Sequence, residues 1–197
     1  MKRIVILASG NGSNFEAIVR KMREWGCGVN VVALITDNKK AYAIKRAKRL
    51  KVPVIILDYR DFKSNVEYNK KLLAQLKALS PHLVVLAGYM RILPPFIVEE
   101  FRGKIINIHP SLLPAFAGLG AIERAFKAGV KYTGITIHYV DEGVDTGEII
   151  EQRCIRIRDN ETLVSLERRI HRLEHYYYPR IIKRLLTEQV DHNIIKK

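Results

Sequence analysis

The sequence predicts an α/β fold: one doubly wound, mostly parallel sheet, with antiparallel strands late in the chain and a long C-terminal helix. Three observations carry this prediction. The runs 3–8, Val29–Thr36 and Leu83–Leu86 are apolar and rich in β-branched residues without alternation, as expected of parallel strands covered on both faces. Helical patterns separate these runs, and alternating β and α units of such length imply right-handed crossovers. A chain of 197 residues, 48% of them hydrophobic, supports one sizeable core and is short for two, so a single domain over residues 1–197 is expected.

The first strand ends in Ser9-Gly10-Asn11-Gly12-Ser13-Asn14, and a helical pattern follows over 15–25. Strand, glycine-rich turn and helix N-terminus place backbone N–H groups and the positive end of a helix dipole around an anion. Ser13 and Asn14 add side-chain donors. Phe15 stands where a dinucleotide fingerprint has its third glycine, which favours a single phosphate over a dinucleotide. Asp37, after the second strand, reads as turn chemistry. A basic helix over 42–50, a strand over 52–57 opened by Pro53, and a helix over 66–79 lead to Leu83–Leu86. The next loop carries Met90, Arg91, Ile92 and Leu93 before a helix over 95–101. It can wall an apolar ligand pocket with Arg91 reaching a carboxylate, or simply open that helix with core residues.

The segment from Ile105 to Pro114 is the candidate reaction centre. If it opens as a strand, Asn107 and His109 project from one face, because side chains alternate with a period of two. Pro110 and Pro114 bar the strand from continuing, and ligands of open α/β sheets bind beyond the carboxyl ends of strands. The plain alternative is a turn histidine satisfied by backbone. A mobile loop over 115–120 and a helix over 121–128 follow. The segments 133–140 and 148–156 alternate and are expected to pair antiparallel around Asp141-Glu142-Gly143-Val144-Asp145-Thr146-Gly147. That turn lacks the spacing of a calcium loop. The last helix is expected over 161–187, with Asn160 or Thr162 as cap and with Pro179 ending or kinking it. It contains His171-Arg172-Leu173-Glu174-His175, a match to one zinc-peptidase pattern for which no third ligand is indicated, so no metal is expected.

Composition narrows the partners. A formal charge of +14 favours anionic ligands without choosing among them. The basic residues near 39–51 and 168–172 are interleaved with apolar ones and read as solvated helix faces; no nucleic-acid-reading motif accompanies them. The short apolar start is too brief for a signal or a membrane span, and two widely separated cysteines suit free thiols, so a cytoplasmic protein is expected.

Taken together, Ser9–Asn14, Gly88–Leu93, Asn107–Pro114 and Asp141–Gly147 resemble, in order and over nearly the whole chain, the phosphoribosylglycinamide formyltransferase family of folate-dependent formyltransferases. The resemblance implies the Rossmann-like formyltransferase fold and transfer of a formyl group from 10-formyltetrahydrofolate, a co-substrate, to the primary amine of glycinamide ribonucleotide in purine biosynthesis. It implies that Asn107 and a protonated His109 stabilise the tetrahedral oxyanion and that Asp145 poises His109 and orders a proton-relaying water. Gly12, Ser13 and Asn14 would hold the acceptor phosphate, and Glu174 would contact the acceptor. Met90, Arg91, Ile92 and Leu93, Asn107, and the turn Asp141, Glu142, Gly143, Val144 and Asp145 would bind the folate, with His138 as support. The resemblance leaves monomer or homodimer open and implies no metal. Three positions depart from it. Ala117 replaces a common proline and Gly120 a frequent histidine, which should loosen the loop after Pro114. Asn65 replaces an arginine that meets the folate tail, with Lys63 or Arg60 as substitutes. A formyltetrahydrofolate hydrolase and a non-catalytic nucleotide- or RNA-binding module are the competing readings.

Overall fold

The computed structural model describes residues 1–187. Seven strands form one sheet: β1 (Lys2–Leu7), β2 (Val29–Thr36), β3 (Val54–Ile56), β4 (Leu83–Leu86), β5 (Ile105–His109), β6 (Tyr132–Tyr139) and β7 (Ile149–Arg156). Their spatial order is β3-β2-β1-β4-β5-β6-β7. The first five are parallel, whereas β6 runs antiparallel to both β5 and β7. Six helices, α1 (Ser13–Trp25), α2 (Tyr42–Arg49), α3 (Asn65–Leu79), α4 (Pro95–Glu100), α5 (Ala121–Lys127) and α6 (Leu163–Thr187), connect and cover them. The doubly wound sheet, the late antiparallel strands and the long last helix are all present. No helix among the described residues is long and apolar enough to cross a membrane.

Strand burial explains the missing alternation. In β1, Ile4 and Ile6 pack into one core with Phe15, Ile18 and Met22 of α1 and Leu166, Ile170 and Ile182 of α6. Val5 and Leu7 point the other way, toward Tyr68, Leu72 and Leu76 of α3 and Ile97 of α4. Both faces are apolar because both are covered. The chain leaves β1 toward β2 and β3, then returns to place β4 on the opposite side of β1. The loops after β1 and β4 therefore diverge and open a crevice between them.

One local expectation is corrected, and one of two alternatives is ruled out. The third strand is only Val54–Ile56, since Pro53 lacks an N–H for a ladder and serves instead as an acceptor for Leu34 N–H. Pro179 does not end α6, which continues to Thr187 with Pro179 inside it. Its neighbours supply the reason. Tyr178, Ile181 and Ile182 are all buried against the sheet, and packing of that apolar stripe outweighs the roughly 3 kcal/mol cost of an interior proline. Of the two candidate caps, Thr162 accepts the Ser165 N–H at 3.2 Å.

Tyr178 also fastens α6 beneath the crevice. Its hydroxyl lies 2.8 Å from the carbonyl of Leu86, the last residue of β4, and 3.1 Å from that of Ile106, the second residue of β5. Tyr178→Phe strands these buried acceptors, and the expected loss is roughly 1–3 kcal/mol, read as a lower urea midpoint with unchanged slope.

Candidate active site

Asn107 and His109 occupy alternate positions of β5 and so share a face, where β6 sets His138 opposite Asn107. The turn after β6 swings Asp145 between them, with a left-handed backbone at φ 57° that aspartate tolerates better than most residues. Its Oδ2 lies 3.1 Å from His109 Nδ1 and accepts the Gly118 N–H at 2.8 Å. Its Oδ1 accepts from Asn107 Nδ2 at 3.3 Å and lies 3.6 Å from His138 Nε2. The nearby His138 ring is the main influence holding the Asp145 carboxyl down at about 2, against burial, which pushes it up; the Gly118 N–H and the charge of His109 add to the lowering. At 3.6 Å that contact is a charge interaction rather than a hydrogen bond of ordinary length.

His109 is 6% exposed, and its Nε2 lies 2.9 Å from the Phe116 carbonyl. Two acceptors thus face its two nitrogens, and only imidazolium donates to both. The 115–120 loop is tied down at several points: Arg124 donates to the Phe116, Ala117 and Gly118 carbonyls, and Asp145 takes the Gly118 N–H. The preceding Ser111–Leu113 segment is pinned in turn, with Thr136 Oγ1 donating to the Ser111 carbonyl and Gln152 Nε2 to that of Leu113.

This cluster forms the floor of a cleft of about 670 Å³. At one end lies the turn after β1. Gly12 caps α1 at φ 73°, and a Cβ there would come within 2.6 Å of Ala43 Cβ, so only glycine fits. Ser13 and Asn14 follow, and Asn14 Nδ2 donates to Glu174 Oε2 at 2.9 Å. Glu174 is 4% exposed and lines the cleft; the side-chain donors it receives among the described residues fall on Oε2 and none on Oε1.

At the other end lie Met90 and Ile92, 62% and 69% exposed, while Leu93 is buried. Arg91 donates to Asn65 Oδ1 and stacks 4.5 Å from the Tyr59 ring and 5.0 Å from that of Tyr68. Arg60 is engaged elsewhere, 2.6 Å from Asp58. The turn at Asp141, Gly143 and Val144 closes the rim, whereas Glu142 is exposed and does not line the cleft.

Several residues take lining or supporting roles that the sequence reading did not give them. Ser9 Oγ accepts the Met90 N–H at 2.8 Å and joins the two loops. Arg46 braces the first turn through the Asn11 carbonyl and Oδ1. Arg124, bonded to the 115–120 loop, and His171, read in the sequence only as part of a zinc-peptidase pattern and here bonded to Glu174, are the others. His171 and His175 stack with ring centroids 6.4 Å apart, but among the described residues no group of three His, Cys, Asp or Glu is arranged to hold a metal ion.

Residues 2–182 match the family described as formyl transferase. The chain is 46% identical to the phosphoribosylglycinamide formyltransferase of Bacillus subtilis, over 94% of this chain and 95% of that one. Among solved structures, the phosphoribosylglycinamide formyltransferase of Bacillus halodurans superposes with a TM-score of 0.91 at 45% identity, covering 95% of this chain and 96% of that one. Glycinamide ribonucleotide transformylase 1 of Symbiobacterium toebii gives 0.90 at 40% identity, covering 94% and 87%.

The lowered Asp145 carboxyl has a stability signature. It titrates near 3.8 in ordinary surroundings and at about 2 here, so between those values the unfolded chain binds more protons and stability rises with pH. The contribution is complete above 3.8 and is lost as pH falls through about 2; its size is roughly 2 kcal/mol at 1.36 kcal/mol per pH unit. In urea titrations, the stability gap between wild type and Asp145→Asn should shrink by about that amount across this window.

Proposed function

The chain belongs to the formyl transferase family, and from that premise we propose that it transfers the formyl group of 10-formyltetrahydrofolate to the primary amine of glycinamide ribonucleotide, giving formylglycinamide ribonucleotide and tetrahydrofolate. We read residues 1–197 as one catalytic domain acting in the cytoplasm. The observation that carries this reading is the ionised Asp145 joined to His109 and Asn107 in a cleft lined both by the polar turn Gly10–Asn14 with Glu174 and by the apolar Met90, Ile92 and Leu93.

The two ends fit two ligands of different chemistry. Backbone N–H groups at Gly12 and Ser13, at the start of α1, suit a phosphate monoester, and Glu174 Oε1 suits a ribose hydroxyl of the same acceptor. Met90 and Ile92 are large apolar side chains left exposed at the rim, which a pterin ring would cover, aided by the backbone of the Asp141–Asp145 turn. Arg91, already stacked on two tyrosines, is the cation available to the glutamate tail of a folate where Asn65 stands.

Addition of an amine to a formyl carbon places negative charge on the formyl oxygen. Asn107 Nδ2 and His109 Nε2 are the donors beside that position, and one such donor is worth about 2.7–4 kcal/mol. His109 Nε2 faces the Phe116 carbonyl, so engagement exchanges this loop contact for the oxyanion. Asp145 keeps His109 charged and orders a water that carries the proton from the amine to the folate nitrogen. Ser111 is buried with its hydroxyl donated to the Ala115 carbonyl and takes no nucleophilic part.

The test follows deformylation of 10-formyltetrahydrofolate by absorbance, with and without glycinamide ribonucleotide. Turnover that needs the acceptor supports transfer; equal turnover without it means hydrolysis. His109→Ala and Asp145→Ala, each with unchanged circular dichroism, should each lose about 10²–10³ in kcat, and a wild-type rate in either overturns the assigned roles.

A further inference from the structure

The His171–His175 pair on α6 is not used by the chemistry above, yet His171 faces the cleft at its phosphate end. We propose that His171 is a positioning and specificity residue for the phosphorylated acceptor: its Nδ1–H fixes the Glu174 carboxylate with Oε1 toward the cleft, and its positive charge favours an acceptor carrying a phosphate. The inference deepens the proposed reaction and rests on it.

Geometry separates the two contributions. Glu174 Oε2 receives both Asn14 Nδ2 from α1 and His171 Nδ1 from its own helix, each at 2.9 Å. A carboxylate buried to this degree needs such donors. Because both fall on one oxygen, the other is left for a ligand. The His171 side chain is 51% exposed, so its ring lies at the rim, where an arriving acceptor meets it.

The charged groups around His171 set its protonation. On α6, Glu174 and Glu167 favour the charged ring, and the hydrogen bond to Glu174 is the main reason its pKa is raised. His175, one turn on, is held down by burial. Glu16 on α1 and Arg46 on α2 act on His175, and Glu16 is itself engaged by Arg20, Arg46 and Arg49. The 118–121 loop across the cleft contributes only Gly118, Leu119, Gly120 and Ala121. A raised pKa means the charge is present below it and is lost as pH rises through it. Loss of the Nε2 proton leaves Nδ1–H on Glu174, so the clamp outlasts the charge.

The experiment measures KM for glycinamide ribonucleotide at saturating 10-formyltetrahydrofolate, from about pH 6 to about pH 8.5, the range in which histidine titrates. His171→Ala removes clamp and charge, whereas His171→Asn keeps a donor near the Nδ1 position without the charge. Relative to wild type, His171→Ala should raise KM on the order of tenfold at the acidic end, the scale of one charge-assisted hydrogen bond, with the effect in KM rather than kcat. His171→Asn should recover KM to near wild type at the alkaline end and fall behind it only at the acidic end. Comparing these two enzymes cancels titration of the acceptor phosphate. Wild-type KM in His171→Ala at the acidic end, or a fall in kcat with KM unchanged, overturns the role of His171 while leaving formyl transfer intact. A wild-type enzyme inert toward glycinamide ribonucleotide overturns the proposed reaction itself.

Discussion

A carboxylate kept ionised where little water reaches it is the interaction on which the rest of the site depends. Asp145 has a side chain only 11% exposed, and an isolated charge so placed would be expensive. Three donors and a neighbouring imidazole, from three segments, offset that cost: His109 and Asn107 on β5, the Gly118 N–H from the loop after Pro114, and the His138 ring on β6. Each has its orientation set by the charge it solvates. The same carboxylate therefore organises the imidazole, the amide and the loop, and its removal affects all three together.

The polar cluster needs a rigid frame, and the sheet supplies it. Pairing of β5 with β6 sets His138 across from Asn107, and Tyr178 ties α6 to Leu86 of β4 and Ile106 of β5. The reversal of strand order between β1 and β4 opens the crevice directly beside that cluster. Ser9 then links the two diverging loops through the Met90 N–H. The turn after β1 and the apolar rim thus stand at fixed positions relative to the His109–Asp145 cluster.

The loop after Pro114 shows how local and tertiary rules differ. Ala117 and Gly120 reduce its intrinsic stiffness, as their types imply. Yet Arg124 gathers three successive carbonyls of that loop, and both His109 and Asp145 take a further backbone group from it. Its order comes from charged partners elsewhere in the chain. Its flexibility is therefore coupled to the charge state of the cluster.

The sequence by itself determined the sheet and its core, because β-branched runs without alternation admit only a strand covered on both sides. It also placed Asn107 and His109 on one face, since a strand's period of two leaves no other choice. Gly12 was legible as part of a glycine-rich turn at a helix start, whereas its close approach to Ala43 is a tertiary contact. What the tertiary structure decided involves residues distant in sequence. Asp145 reaches β5 across 36 residues from His109, Glu174 meets Asn14 across 160, and Pro179 stays inside α6 because the stripe around it is buried. Periodicity reports local geometry, whereas the charge balance of a buried cluster arises only when separate segments meet in space.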